Sequence, residues 1–178
     1  MKLWKHFCTI TRHRQLVRHY CFRLGLYRQG LCHDLSKYSP SEFFPGVHYF
    51  QGNRSPNDME RLEKGYSSAW LHHKGRNKHH SEYWIDNSLK PGQKVESIPM
   101  PVQYVAEMFC DRIAACQIYL KDRFTWASPY EYFQRSKEHC MIHQETSRLL
   151  EDWLLRLKEQ GLESTILYIR TNALHHRI

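Results

Sequence analysis

A regular apolar stripe near the N-terminus is the sequence feature that most restricts how this chain can fold. Between residues 3 and 28, residues suited to a buried face recur at alternating spacings of four and three, which is the period of an amphipathic α-helix. The segment is therefore predicted to be one helix with a single inward face. The positions of the stripe are His6, Ile10, His13, Val17, Tyr20 and Leu24.

The stripe separates two histidines by their expected surroundings. His13 lies in the middle of the stripe and is predicted to face the interior, whereas His19 is six residues on, about a third of a turn away, and should point elsewhere. Taken alone, His13 would be a core histidine bonded to a carbonyl group. A role as a metal ligand depends on what the rest of the chain supplies.

Helical spacing also dominates the later segments. One helix is predicted from Pro101 to about Leu120, and another from Thr146 to about Gln160, where Gly161 should end it. The chain contains no internal repeat or linker, and 178 residues are enough for one sizeable core. The predicted fold is a single all-α domain over residues 1–178, arranged as a helical bundle.

The stretch around residue 33 combines glycines with a histidine–aspartate pair. Gly25 and Gly30 are predicted to bracket a break, and a short helix should then carry His33 and Asp34. Imidazole and carboxylate groups both bind divalent first-row metals, so the pair is a candidate part of a metal site. Other segments would have to bring the remaining ligands.

Capping patterns predict the next helix boundaries. Residues 39–42 have the form of a capping box, in which Ser39 is the N-cap and Glu42 reaches back to it. The helix that begins there should be interrupted at residues 45–46, a Pro-Gly pair. Ser128 is predicted to cap a helix near the C-terminal end in the same way.

Another helix is predicted from about Pro56 to Lys74, with a weak point at Gly65. Two later regions remain open at this stage. Val95 and its neighbours can form a small hairpin or an irregular segment, and residues 162–174 can form a helix or a strand.

Four histidines lie within nine residues in a second unusual stretch. Trp70, Tyr83 and Trp84 enclose this stretch and should anchor it to the core. A solvated basic loop is the alternative interpretation, but the surrounding aromatic residues favour a functional site. The histidines are His72, His73, His79 and His80.

A pair of carboxylates is predicted on one face of the helix that follows Pro101. Glu107 and Asp111 are four residues apart, so their side chains should be neighbours. Two such carboxylates repel each other unless a cation lies between them. The candidates for that cation are Arg112, Arg123 or a metal ion.

The charge of the chain indicates the kind of partner it binds. The formal net charge is +8, which favours anionic partners such as phosphorylated metabolites, nucleotides or nucleic acid. No long run of lysine and arginine interleaved with aromatic residues is present, so nucleic acid is possible but not favoured. Charge alone slightly favours the simpler interpretation, a basic solvated surface, so an anionic, phosphorylated small molecule is expected as the substrate only together with the site residues.

The six cysteines form no C-x-x-C pair, and no signal peptide precedes them. Reduced thiols in a cytoplasmic protein are therefore expected rather than a disulfide framework. No segment is apolar enough to cross a membrane, so no membrane association is predicted.

The order of these features resembles the HD-domain superfamily of metal-dependent phosphohydrolases. A histidine, a His-Asp pair, further histidines and a late aspartate follow one another over residues 6–120. The chain looks closest to an uncharacterised bacterial branch that has a His-Asp-Leu-Ser-Lys motif and an Asn-x-His-His-x-Glu-Tyr motif, here at residues 33–37 and 77–83. The resemblance implies an HD-like bundle with its metal site in residues 6–120 and C-terminal helices at about 128–174.

The resemblance also implies a set of metal ligands. One divalent ion would be held by the first histidine, the His-Asp pair and the late aspartate, and a second ion by the intermediate histidines, with Asp34 as the bridge. These histidines are closer together here than in the better-known two-metal relatives, so the choice among the four between residues 72 and 80 remains open. The implied ligands are His13, His33, Asp34, His73, His79, His80 and Asp111. Such ligands admit Mn, Fe, Ni, Co or Zn.

The activity that the resemblance implies is hydrolysis of a nucleotide or another small phosphate ester by a metal-activated water. Asp34 and Lys37 would be the catalytic residues. Lys37 would also bind substrate phosphate, and Lys74, Arg76 and Asn77 are further substrate-binding candidates. Glu82 and Glu107 are expected to orient metal-bound histidines, and Glu107 is also a possible direct ligand.

Two other functions use the same residues differently. Some HD-like proteins hold a mixed-valence di-iron site and oxidise their substrates with O₂. A non-catalytic, metal-stabilised module that binds a nucleotide or nucleic acid is the third possibility. The sequence contains no P-loop, nucleophile elbow, H-E-x-x-H motif or dinucleotide fingerprint.

Overall fold

The structure, a computed structural model, describes residues 1–174 and is built almost entirely from helices. Eight α-helices occur in that part of the chain, joined by short 3₁₀ turns and one small hairpin. The helices are α1 (Lys2–Arg23), α2 (Tyr27–Cys32), α3 (Pro40–His48), α4 (Pro56–Lys64), α5 (Ser68–Lys74), α6 (Val102–Leu120), α7 (Ser128–Ser136) and α8 (Gln144–Ile169). The predicted all-α class is confirmed.

The hydrophobic core lies where α6 packs against α1 on one side and α8 on another. Helix α6 is buried along most of its length, and Phe109 and Ile113 on it are almost fully enclosed. Trp153 of α8 packs edge-on against Phe109, with 6.2 Å between the ring centroids. This packing presents the inner face of α1 to α6, so that side chains from both helices meet.

Several predicted boundaries are confirmed. Helix α6 covers the predicted range, and Gly65 separates α4 from α5 in a left-handed conformation with φ of 79°. Gly161, with φ of 77° and ψ of 178°, breaks the helical path of α8, after which the chain is again helical. The open region near Val95 forms a hairpin, in which β1 (Ile85–Asn87) pairs antiparallel with β2 (Val95–Ser97).

The prediction that a helix carries His33 and Asp34 is wrong. Helix α2 ends at Cys32, and Asp34 has a left-handed backbone with φ of 53° before a 3₁₀ turn begins at Leu35. Gly30 lies inside α2 rather than at a break. A Cβ atom there would be 3.0 Å from Cys21 and Phe22, so the missing side chain lets α2 pack closely on α1.

Helix α3 continues through Pro45 and Gly46 to His48, although an interruption was predicted there. Proline inside a helix removes a hydrogen bond and introduces a clash with the preceding turn, but tertiary packing can outweigh that cost. Here α3 packs against α1, α4 and α5. Gly46 lets α3 approach α1 so closely that an added Cβ would lie 2.4 Å from Nε2 of His6.

The predicted cap at Ser128 is wrong by one residue. Ala127 is the N-cap of α7, and the Ser128 hydroxyl instead accepts a hydrogen bond from the backbone N–H of Thr125 at 3.0 Å. All six cysteines are free. Within residues 1–174, no helix combines the length and the apolar character needed to span a bilayer.

Candidate metal centre

Four separate parts of the fold bring histidines and carboxylates together. Helix α1 contributes one histidine, the link after α2 contributes the His-Asp pair, α5 and the loop that follows it contribute three histidines, and α6 contributes an aspartate. Three overlapping groups result within residues 1–174, and within each the potential ligand atoms all lie within 4.8 Å of one another. Two of them share Asp34 and are called the first and second groups, and the remaining one consists of His33, His79 and Glu107. The first group is His13, His33, Asp34 and Asp111, and the second is Asp34, His73, His79 and His80.

Asp34 belongs to both groups because its two oxygens face different sides. Oδ2 lies 3.7 Å from Nε2 of His13 and 3.5 Å from Nε2 of His33. Oδ1 lies 3.3 Å from Nε2 of His73 and 3.4 Å from Nε2 of His79. The left-handed backbone at Asp34 turns the chain sharply between α2 and the 3₁₀ turn, which places this buried carboxylate between the two groups.

The first group closes around Asp111. Nε2 of His13 is 2.9 Å from Oδ1 of Asp111, and Nε2 of His33 is 3.7 Å from the same oxygen. In the second group, Nε2 of His73 and Nε2 of His80 are only 2.9 Å apart. Two imidazole nitrogens that face each other at this distance must share either a proton or a cation.

Glu107 holds one histidine from each group by the opposite edge of the ring. Nδ1–H of His33 donates to Oε1 of Glu107 at 2.8 Å, and Nδ1 of His79 is 3.1 Å from the same oxygen. A hydrogen bond from Nδ1–H to a carboxylate leaves the lone pair of Nε2 available to bind a metal ion, which is the usual arrangement of metal-ligating histidines. Glu107 therefore contacts the ring edge opposite Nε2 in both histidines, and its own oxygen also forms a group of potential ligand atoms with them.

Glu42 plays the same part for the second group, and the sequence did not reveal it. Its Oε2 accepts from Nδ1 of His73 at 2.7 Å, and its Oε1 accepts from Nδ1 of His72 at 2.7 Å. Ser39 is the N-cap of α3 as predicted, but the side-chain bonds of the predicted capping box are not formed, because Glu42 contacts these histidines instead. Local spacing could not show this, since the partners are 30 or more residues away.

Within residues 1–174, His72 belongs to none of the groups of potential ligand atoms and instead contacts Glu42. Asn77 supports His73 from the other side. Its Nδ2 donates to the backbone oxygen of His73 at 2.8 Å and to the hydroxyl of Ser36 at 2.9 Å. Asn77 is therefore a buried supporting residue rather than a group exposed to substrate.

Three atoms of the centre are buried and have no hydrogen-bond partner. They are Nε2 of His33, Oδ1 of Asp34 and Nε2 of His79. An unsatisfied buried polar atom costs about 1–3 kcal/mol, so such atoms need a physical explanation. Each belongs to a side chain of the two groups, and imidazole and carboxylate are suitable ligands for a divalent ion. These clusters can hold a metal ion.

The charges of the centre also suit a cation. Burial alone would raise the pKa of Asp34, but the positive charges of His33 and Lys37 hold it well below its usual value. Burial likewise acts to raise the pKa of Asp111, and hydrogen bonds from His13 and His33 hold it well below the usual range. Both carboxylates are anionic at neutral pH.

The pKa values of two buried histidines are shifted in opposite directions. Burial lowers the pKa of His80 well below its usual value, and the neighbouring His79 and His73 lower it further, so the ring is neutral at neutral pH. Burial also disfavours the charged form of His33, but Asp34 and the hydrogen bonds to Asp111 and Glu107 raise its pKa well above the usual value. Without a metal ion, a proton on His33 offsets part of the negative charge.

A cavity of about 220 Å³ opens beside both groups. His13, Asp34, His80 and Asp111 line one part of it, together with Lys37. Nζ of Lys37 lies 3.3 Å from Oδ2 of Asp34. Burial acts to lower the pKa of Lys37, but the charges of Asp34 and Asp111 raise it, so Lys37 remains a cation beside the site.

Other predicted site residues are not brought to this cavity. Lys74 and Arg76 are not part of its lining, and Arg76 is exposed and donates to the backbone oxygen of His72. Among the contacts of residues 1–174, Glu82 accepts only from the neighbouring Ser81 hydroxyl and touches no histidine ring. The structure therefore gives no support to Glu82 as an orienting group.

The proposed arginine between Glu107 and Asp111 is also not found. Arg112 lies over the ring of Phe133, 5.1 Å from its centroid, and Arg123 is exposed. The His33 ring occupies that position instead, with Nδ1 near Glu107 and Nε2 near Asp111.

Comparisons with known proteins return one match. The model of the family described as "Family of unknown function (DUF5662)" matches residues 2–156. No curated protein matches the chain. No solved structure matches it either.

Proposed function

Because the chain belongs to this family of unknown function, we propose its activity from the site itself: a metal-dependent phosphohydrolase that acts on a nucleotide or another small phosphate ester. The observation that carries the proposal is the position of Asp34, whose two oxygens face two separate sets of histidines. A carboxylate shared in this way suits two ions close together. The sequence resemblance to the HD-domain phosphohydrolases supports the same activity.

The residues assigned to the two ions follow from the two groups. His13, His33, Asp34 and Asp111 would hold the first ion, and Asp34, His73, His79 and His80 the second. Bound divalent ions lower the pKa of a water molecule and neutralise the oxygens of a phosphate group. Mixed imidazole and carboxylate ligands are compatible with Mn, Fe, Co, Ni or Zn.

Lys37 supplies a fixed positive charge where the phosphate would bind. It lies beside Asp34, lines the cavity and stays protonated at neutral pH. An ammonium group can pair with a phosphate oxygen as a point charge. We assign Lys37 to holding the phosphate beside the ions, and Glu42 and Glu107 to orienting the histidines.

The charge of the cavity explains why a phosphate substrate would require metal ions. Three carboxylates line the cavity, against one lysine. An anion that entered this cavity without additional cations would meet net repulsion. Metal dependence of substrate binding, as well as of turnover, therefore follows from the lining residues.

Elemental analysis of the purified protein and a phosphatase and phosphodiesterase screen across supplied metals test the proposal. We expect one or two divalent ions per chain and metal-dependent phosphate release. The matched variants are Asp34→Asn, which removes a shared carboxylate while tolerating the left-handed backbone, and the control Asp58→Asn at an exposed site on α4. Asp34→Asn should lose metal and turnover, and Asp58→Asn should keep both.

Three results would contradict the proposal. Wild-type phosphate release by Asp34→Asn would remove the metal centre from the reaction. Bound iron with O₂ consumption and no phosphate release would support the oxygenase alternative. Ligand binding without turnover of any phosphate ester, with metals supplied, would support the non-catalytic module.

A further inference from the structure

The cavity next to the metal centre has two chemically different parts. One part contains the carboxylates, the histidines and Lys37 described above. The other part is formed mainly by apolar and aromatic side chains from α1, α5, α6, α7 and the segment after α3. Its main contributors are Ile10, Phe50, Ile118, Tyr119 and Tyr132, and Thr9, Ser55 and Asn57 add polar side chains to the lining.

Among residues 1–174, Lys37 is the only lysine or arginine that lines this cavity. His6 also lines it, but burial and the nearby charge of Lys37 lower the pKa of His6 to about 4. His6 is therefore neutral at neutral pH and adds no second positive charge. In the part of the chain that the structure describes, no cationic side chain lines the part of the cavity away from the ions, so none would neutralise a second or third phosphate.

The charge balance of the loaded site suits one phosphate group. Two divalent ions with Lys37 would outweigh the three lining carboxylates by about two charges, or by about one if Glu107 behind the histidines is included. A phosphate monoester carries about −1.5 to −2 charges at neutral pH, so it would balance this excess. A triphosphate would exceed it, and a diester would leave part of it unbalanced.

The size and lining of the cavity restrict the organic part of the substrate. At about 220 Å³ the cavity is smaller than the pockets of about 300–1,000 Å³ that enclose drug-sized ligands. Tyr119 and Tyr132 combine aromatic faces with hydroxyl groups. An aromatic or largely apolar group of modest size would gain contact area against these faces.

We infer that the substrate is a phosphate monoester with a single phosphate, which Lys37 and the ions hold, on an aromatic or mainly apolar organic group that packs between Phe50, Ile118 and Tyr132. This inference rests on the proposed phosphohydrolase function. It selects a monoester over diesters and over di- and triphosphates, which the proposed function alone does not do.

Kinetics with matched substrates test the charge argument. For the metal-loaded protein, kcat/KM for p-nitrophenyl phosphate should exceed that for bis(p-nitrophenyl) phosphate by about tenfold or more. The series AMP, ADP and ATP keeps one organic group and varies only the number of phosphates, so its kcat/KM values should fall at each step. Equal or higher values for the diester or for ATP would overturn the inference and leave the proposed phosphohydrolase intact.

Binding of non-hydrolysable phosphonates tests the apolar wall without relying on turnover. By calorimetry, phenylphosphonate should bind the metal-loaded protein up to about tenfold more tightly than methylphosphonate, because its ring contacts the wall. Tyr132→Ala should reduce this preference, and the control Tyr66→Ala, at an exposed tyrosine outside the lining, should leave it unchanged.

The failures of the two proposals are distinguishable. If Tyr132→Ala and a second wall variant, Phe50→Leu, both retain the full preference for phenylphosphonate, the assignment of the organic group is wrong while phosphate release continues. If no phosphate ester is hydrolysed under any metal condition, the proposed function itself fails, and the inference fails with it.

Discussion

At the scale of single residues, the arrangement around Asp34 depends on carboxylates that stand behind the histidines. Glu107 contacts Nδ1 of His33 and of His79, one ring from each group. Glu42 contacts Nδ1 of His73, which belongs to the second group alone. Glu107 therefore supports one histidine of each proposed ion, whereas Glu42 supports a histidine of the second proposed ion only.

This difference predicts distinct metal-binding defects. Glu42→Gln should weaken the binding of one of the two ions by about 10–100-fold, because His73 is the only proposed ligand that contacts this carboxylate. Glu107→Gln should weaken the binding of both ions. Calorimetric titration with Mn or Co, checked by metal content after dialysis, measures the effect.

The control for these variants is Glu82→Gln, since Glu82 touches no histidine ring within the described residues. This variant should bind both ions as the wild type does. The assignment of separate roles is wrong if Glu42→Gln and Glu107→Gln reduce the affinity for the same number of ions to the same extent.

At the scale of secondary-structure elements, the contact between α1 and α3 shapes one wall of the cavity. His6 of α1 lies between Phe43 and Phe50, with ring-centroid distances of 5.4 and 5.6 Å, and its ring edge faces Gly46 of α3. A side chain at Gly46 would lie inside the contact distance of the His6 ring. The missing side chain is therefore what lets α3 lie this close to α1.

Gly46→Ala should lower the free energy of unfolding by about 1–3 kcal/mol, because the added methyl group overpacks the contact with His6. Urea unfolding followed by circular dichroism measures the change. The control is Gly75→Ala, where an added Cβ would meet its nearest atom at 3.6 Å and φ is −75°, so no destabilisation from packing is expected. Equal stability of the two variants would contradict this account.

Glu60 connects α4 to the start of α5. Its carboxylate accepts hydrogen bonds from the hydroxyls of Ser67 and Ser68 at 2.7 and 2.6 Å and from the backbone N–H of Ala69 at 3.3 Å. Burial acts to raise the pKa of Glu60, but these bonds, led by that of Ser68, lower it from 4.5 to about 2. The ionised carboxylate is therefore favoured in the folded state.

A lowered pKa in the folded state predicts the direction of a pH effect. Glu60 stabilises the fold above its ordinary pKa of 4.5, and this contribution is lost as the pH falls from 4.5 towards 2. Glu60→Gln should therefore be less stable than the wild type at neutral pH, with a difference that shrinks in acid. Unfolding free energies of the wild type and of Glu60→Gln, measured across this pH range, test this prediction. The control variant is Glu159→Gln, at an exposed site on α8. A difference that is constant with pH would refute the assignment.

At the scale of the whole molecule, the overall charge and the charge of the cavity have opposite signs. The chain carries a formal net charge of +8, yet the cavity is lined by three carboxylates and one lysine. The folded protein thus concentrates negative charge and unpaired ligand atoms in one place. Ions bound there would relieve both, so metal binding should be coupled to folding.

Metal ions at about 100 times their dissociation constant should stabilise the protein by about 2.7 kcal/mol per site. For a chain of this size, that corresponds to a rise in Tm of about 5–10 °C, which EDTA should reverse. Differential scanning calorimetry with and without Mn, Co or Zn measures the shift. Asp34→Asn should show little of it, and an equal shift in that variant would show that the stabilising ions bind elsewhere.

Much of the fold was predictable because its signals are local. The stripe from His6 to Leu24 correctly predicted a helix, although α1 ends at Arg23 rather than near residue 28 and His13 is half-buried, and Gly65 and Gly161 correctly marked breaks. The errors lie where tertiary packing overrides local preference. Pro45 remains within α3 because α3 packs against three other helices, and Gly30 remains within α2 because its missing side chain allows contact with α1.

The types of residue in the centre and their order along the chain were determined by the sequence itself, since helical period and ligand chemistry can be read from neighbouring positions. The tertiary structure alone decided how these residues are used. Glu42 meets His73 across 31 positions, and Glu107 meets His33 across 74, whereas Lys74, Arg76 and Glu82 stay away from the cavity although they are close to the histidines in sequence. Such contacts depend on how helices pack against one another, and no local spacing encodes that packing.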